Sequence, residues 1–430
     1  MKLRSLFSPL FTLLAVVPLV ALSGCGGNND DDGSGQVRLV NATTDYASLD
    51  LFASDVVVTE GVVQGSVGSY EGFTHGDIVF KLKRADSGIT SLATTRTVSS
   101  GVNDSLIAYS TGGTLRTVYV PDSEGAPTSG YAKLRVFNTS TEAGSVDMYI
   151  TAVGGNLDSI SAAASSIAGE RFSSYGEITA GSYHLVVTGA GDKTDVRLDI
   201  PSIALSDQQV ATLILTSTPG GVLVHGLLLN QRAEAVAQKN TLARVRVVAG
   251  VAAGGAVSVQ ANGVALASGI TSPAIVPYTT MPAGAVTGEL RVNGGTAIAL
   301  PAFTAQPGAD VTLMVLGTAA APSAFVLQDN NKPAGAGNAK LRLVHGVNGL
   351  GGNATLTADY GLVASDIPFG QASVSASLVV GNPIRLEVTS PASAARLFLN
   401  DEANLQATKV YTVFMLGDAA APVGTLVRDR

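Results

Sequence analysis

Four stretches of this 430-residue chain open alike, and a chain that repeats itself at a period near 100 residues must build a row of similar units. The openers are Val37-Arg38-Leu39-Val40, Leu134-Arg135-Val136-Phe137, Val245-Arg246-Val247-Val248 and Leu341-Arg342-Leu343-Val344, with their arginines 97, 111 and 96 residues apart. About twelve residues on comes a second alternating run: Leu49-Asp50-Leu51, Val146-Asp147-Met148, Val257-Ser258-Val259 and, one residue later, Ala354-Thr355-Leu356. Tyr70, Tyr175 and Tyr278 then precede a glycine by six residues (Gly76, Gly181 and Gly284), whereas the fourth stretch has Phe369 twelve before Gly381. Leu316-Gly317-Thr318-Ala319-Ala320-Ala321-Pro322 also returns as Leu416-Gly417-Asp418-Ala419-Ala420-Ala421-Pro422.

Inside each repeat, short runs alternate apolar and polar residues between Gly, Pro, Asn, Asp and Ser. Period two bounded by turn formers is the signature of strands, and many short strands at regular spacing point to two-sheet sandwiches. The expected fold is all-β: four tandem Ig-like antiparallel β-sandwich modules at 37–128, 131–236, 242–331 and 339–430. The Cys-Trp-Cys core of true Ig domains is excluded, because the chain has one cysteine and no tryptophan. Ser159 to Ala168 is the one stretch where a helical turn is expected. Short connections at 125–130, 234–240 and 330–338 imply semi-independent modules.

The N-terminus is read as a targeting segment. Lys2 and Arg4 precede an apolar run from Leu10 to Leu22, shorter than the roughly 20 residues of a bilayer crossing. Leu22-Ser23-Gly24-Cys25 follows and resembles the bacterial lipobox, in which small residues precede a lipidated cysteine. That resemblance implies a signal peptide over 1–24 and a diacylglycerol thioether with a further acyl chain on Cys25, enough chains for stable anchoring. Gly26 at the next position fits sorting to the outer membrane. Residues 25–36, rich in Gly, Asn and Asp, read as a flexible tether.

The opener, the second run, the Tyr-x5-Gly turn and the late strand resemble a bacterial repeat family, domain of unknown function 4397. Members are typically exported and often lipoproteins. The family supplies architecture and placement, with no established activity. Its openers commonly run into a histidine; here only His345 matches, with Asn41, Asn138 and Ala249 standing elsewhere.

Charge narrows the partners. The chain carries 26 basic and 33 acidic residues, and without Lys2 and Arg4 its net charge is near −9. Such a balance disfavours nucleic acid, which needs clustered cations. The expected partners are the membrane, through the lipid, and a glycan or protein ligand.

No motif of catalysis stands out, and no cofactor or metal is expected. His75, His184, His225 and His345 lie in separate runs without metal-ligand spacing. His184 reads as an exposed strand residue and His345 as a loop-structural one. Gly154-Gly155, Gly254-Gly255 and Gly351-Gly352 lack the Lys-Ser/Thr of a phosphate loop. Arg38, Arg135, Arg246 and Arg342 should face away from their cores, with Arg38 and Arg135 pairing across strands with Asp50 and Asp147; a periodic ligand-binding stripe is the functional alternative. The three tyrosines read as corner residues closing each sandwich. The chain is thus expected to be a non-enzymatic, membrane-anchored binding or adhesion protein, with an envelope spacer as the alternative and a hydrolase below both.

Overall fold

The computed structural model describes residues 33–430. The signal segment 1–24, Cys25 and the tether up to Asp32 lie outside the described residues. The fold is all-β, with each repeat built on two main sheets and the third adding a two-stranded one, Gly284–Val286 with Phe303–Ala305. In the first module one sheet is antiparallel throughout, in the order Val56–Val63, Ser48–Ala53, Gly76–Arg84, Thr90–Val98. The other places the opening strand Ser34–Ala42 beside the penultimate strand Asn103–Thr111, which pairs with Thr114–Pro121. That opening strand runs parallel to the penultimate one, Leu39 opposite Leu106. The same parallel pair recurs in the other three modules. Parallel neighbours need a long crossover, and here the whole second sheet serves as that crossover.

The opening strand begins at Ser34, with Ser34, Gly35 and Gln36 opposite Thr74, Phe73 and Gly72. The last three residues of the expected tether therefore belong to the sheet. Backbone pairing needs no apolar side chain, so composition was blind to them. The stretch at 234–240 also departs from a plain linker: Ala235–Gln238 adds an edge strand beside Val224–Asn230. Ser159 to Ala168 holds no helical turn; Ala164–Ile167 is a strand. The helical turn among the described residues is Thr141–Ala143, capped by Ser140, whose Oγ accepts from the Ala143 N–H.

Each module has its own apolar core. In the first, Val37 and Leu39 meet Leu49, Leu51, Phe80 and Leu106. Alternation turns Val40 and Ala42 the other way, and there they meet a neighbour. Val40, Ala42, Ile107 and Tyr109 pack on Phe137, Ile214, Leu227 and Leu229 of the second module. Val248, Met314 and Leu316 of the third likewise pack on Val344, Phe414 and Leu416 of the fourth. Fully burying a side chain of this size stabilises by about 1.5–3 kcal/mol. The modules thus form two close pairs, first with second and third with fourth, instead of four semi-independent beads. The penultimate strands, buried on both faces, carry unbroken apolar stretches such as Leu313–Leu316 because neither side meets water.

Candidate functional site

The repeated arginines sit in the seams of these pairs. They face away from their own cores, as alternation requires, but toward the partner module rather than solvent. Arg38 is 2% exposed. Its Nε donates to Ser105 Oγ at 2.8 Å, and its Nη1 and Nη2 donate to the carbonyls of Ala233 and Asn230 in the second module at 2.6 and 3.1 Å. Arg246 Nε donates to Thr312 Oγ1 and its Nη1 to Asp429 of the fourth module at 2.5 Å. Arg342 Nε donates to Thr412 Oγ1 and its Nη2 to Asp329 of the third at 2.6 Å. Arg135 Nε donates to Thr212 Oγ1, with its guanidinium over the rings of Phe172 and Tyr175.

The expected pairs of Arg38 with Asp50 and Arg135 with Asp147 do not form, because these aspartates belong to the opposite sheet. Asp50 Oδ1 accepts the N–H of Gly61, and Asp147 accepts the N–H groups of Ser166 and Gly191. Ser258 and Thr355 do the same for Gly269 and Asp366. All four N–H donors next to the second run (Gly61, Ser166, Gly269 and Asp366) have φ between 53° and 64°, at points where the ladder slips register. The second-run residue is thus an anchor for a bulge. The tyrosines are not corners either. Tyr70 and Tyr278 lie over Arg38 and Arg246 and donate to Asp122 and Asp329. Burial, then the adjacent carboxylate, pushes both phenols well up.

The histidines are dispersed and engaged. His345 is fully buried, with Nε2 3.3 Å from the Gly352 carbonyl, and burial lowers its pKa. His225 Nδ1 accepts the Asn240 N–H at 3.0 Å, and burial lowers its pKa to about 4. His184 is partly buried rather than exposed, with Nε2 2.7 Å from Asp199. His75 is exposed near the Gly33 carbonyl. Among the described residues no cluster of three His, Cys, Asp or Glu could hold a metal ion, and no helix is long and apolar enough to cross a membrane.

Two of the concavities among the described residues exceed 600 Å³. One, of about 670 Å³, lies along the second module and its linker, between Glu124, Gln208, Gln209 and Gln231. The other, of about 870 Å³, is lined by the first, second and fourth modules and by the connection that leads into the fourth, from Ser110 and Arg116 of the first and Glu142 of the second to Lys332 of the connection and Lys340 and Lys409 of the fourth. Glu142 is tied down by Ser217 Oγ at 2.6 Å and the Gly112 N–H at 3.0 Å. Glu170 is held by Tyr109 and Arg116. This junction is the candidate binding site. Sequence reasoning missed it, because its residues come from many distant stretches and none belongs to the repeat motif.

Comparison with known proteins bears on the family. No curated protein matches the sequence. Among solved structures, the Bacillus anthracis TIE protein aligns at 12% identity over 89% of this chain and 68% of that chain, with a TM-score of 0.14. The family described as Domain of unknown function (DUF4397) matches residues 35–149 and 243–351, each match taking an odd-numbered module and the opening strands of the next. Those matches span more than half of the sequence, and the chain belongs to that family.

Proposed function

We propose that the chain is a non-enzymatic binding protein of the bacterial envelope, exported by residues 1–24, anchored through lipid on Cys25, and presenting its modules for contact with a glycan or protein. The observation that carries the binding reading is the cavity of about 870 Å³ at the junction of the first, second and fourth modules and the connection 330–338. Ligand sites are concave, of a few hundred to about 1,000 Å³, and favour junctions between domains. The histidines, by contrast, lie on separate strands and turns, His184 and His225 both in the second module, and are bonded to backbone or Asp199. The anchoring part rests on the lipobox-like Leu22-Ser23-Gly24-Cys25.

Protease treatment of whole cells tests the placement, with wild type beside Cys25→Ala. Shaving of the wild type from intact cells, together with loss of the variant from them, supports anchored, outward-facing modules. Protection until the outer membrane is breached turns the reading into a periplasmic spacer, a role that closely packed pairs also suit.

A further inference from the structure

The two module pairs carry the same lysine in opposite settings. Lys133 opens the second module; its Nζ donates to the Gly125 carbonyl at 2.9 Å and to Glu124 Oε1 at 2.6 Å. Lys340 opens the fourth, and its Nζ donates to the carbonyl eight residues back, that of Lys332, at 2.7 Å. Here the place of Glu124 is taken by neutral Asn331, and that of Gly125 by Lys332. Each lysine's backbone N–H bonds to the turn before the penultimate strand: Lys133 to the Gln209 carbonyl, Lys340 to the Lys409 carbonyl. A neutral glutamine has thus become a third lysine. Arg430 lies alongside, its backbone bonded to Val410. The first pair holds a neutralised cation; the second holds the same cation stripped of its carboxylate and joined by two more. Among the described residues none of the three lysines has an ion-pair partner, whereas Lys133 does.

We propose that Lys332, Lys340 and Lys409 form a site for a phosphomonoester carried on a saccharide, seated in the junction cavity; this rests on the binding reading above and names its ligand. Three ammonium groups without an ion-pair partner, opposed in the cavity lining by Asp45, Glu142 and the Arg116-paired Glu170, call for a compact anion of more than one charge, and a phosphomonoester carries about −1.5 to −2. A carboxylate would leave two of them unmatched. The cavity, about 870 Å³, is larger than a free phosphate needs, and its lining includes the hydroxylated Ser110, Thr111 and Thr141. Ser110 Oγ is buried without a hydrogen-bond partner in the structure, a donor and acceptor left over for a ligand. Burial and the neighbouring Lys332 hold the Lys340 pKa below its usual value, a penalty that a bound dianion relieves.

Calorimetry on the detergent-solubilised full chain tests this, with glucose monophosphate, glucose, glucuronate and inorganic phosphate as probes. Glucose monophosphate should bind with Kd below about 1 mM, weakening as salt rises, while glucose and glucuronate bind at least about tenfold more weakly. Lys340→Gln with Lys409→Gln should weaken it about tenfold or more, Lys133→Gln should leave it unchanged, and Ser110→Ala should weaken it without changing the affinity for inorganic phosphate. Thermal melts of each variant separate lost binding from lost folding, and Lys332→Asn supplies a second test if the double variant does not fold. Absence of phosphomonoester binding, equal binding of glucuronate, or binding that survives loss of the lysines overturns the proposal. Inorganic phosphate binding as tightly as the sugar ester overturns its saccharide part. None of these results touches the anchor, which the cell-shaving experiment reads separately.

Discussion

The guanidinium of Arg246 meets the carboxylate of Asp429, 183 residues further along the chain, at 2.5 Å. The fourth module returns the contact, Arg342 to Asp329 at 2.6 Å. Each aspartate also accepts from the threonine of its own module, Thr412 or Thr312, so each carboxylate belongs to one module and neutralises the arginine of the other. Side chains on both sides are at most 5% exposed. Breaking a buried pair by removing one partner strands the other charge, at a cost of about 3–5 kcal/mol. Asp429→Ala should therefore destabilise the chain by that order in denaturant titration, while Arg246→Met with Asp429→Leu should cost clearly less. Equal losses in single and double variants would mean that the pair is not coupled.

Two glycines let the same seam close. A Cβ on Gly250 would lie 2.7 Å from Leu316 Cδ2 and 3.0 Å from Leu416 Cδ2; one on Gly346 would lie 2.9 and 3.1 Å from the same two atoms. Both leucines are buried in the seam, so neither can swing into solvent. Gly250→Ala should overpack the contact and cost about 1–3 kcal/mol. Limited proteolysis should then cut faster within 330–338, the stretch joining the third and fourth modules. Unchanged cleavage and stability would show that the leucines repack freely.

The sandwiches were legible because alternation reports which face of a strand meets a core, and Val37, Leu39, Leu49 and Leu51 do so. The pairing of modules was not, because an arginine between apolar neighbours looks the same whether its face meets water or another sheet. Arg38 and Arg246 could have been placed only by noting that Val40 and Val248 share their face. A sharper signal lay in the penultimate strands: Ile107 and Met314 break strict alternation because both faces are covered. The junction site was illegible for a different reason. Lys332 and Lys409 are ordinary surface lysines in sequence, and only the folded turn brings them beside Lys340.

The second-run aspartates make a graded prediction. Asp147 is buried and accepts from two N–H groups, Ser166 at 2.7 Å and Gly191 at 2.9 Å; Ser258 accepts from one, Gly269, at an exposed position. Leaving a buried donor unsatisfied costs about 1–3 kcal/mol, and water can replace the acceptor at an exposed one. Asp147→Ala should lower the unfolding free energy by about that amount in urea, and Ser258→Ala by well under half of it. Equal effects would remove bulge anchoring as the reason for these residues.

Stability should also respond to acid through His225. Its Nδ1 accepts the Asn240 N–H at 3.0 Å, so the ring must keep that nitrogen unprotonated, and burial lowers its pKa from 6.5 to about 4. The folded form binds the proton less readily than the unfolded one. Between these two values the unfolded chain therefore carries more protons, and stability rises with pH. The contribution is fully present above about pH 6.5 and is lost as pH falls toward about 4. His225→Asn removes the titrating group, and the slope of unfolding free energy against pH should flatten within that window. A slope unchanged by His225→Asn would assign the acid response to other groups.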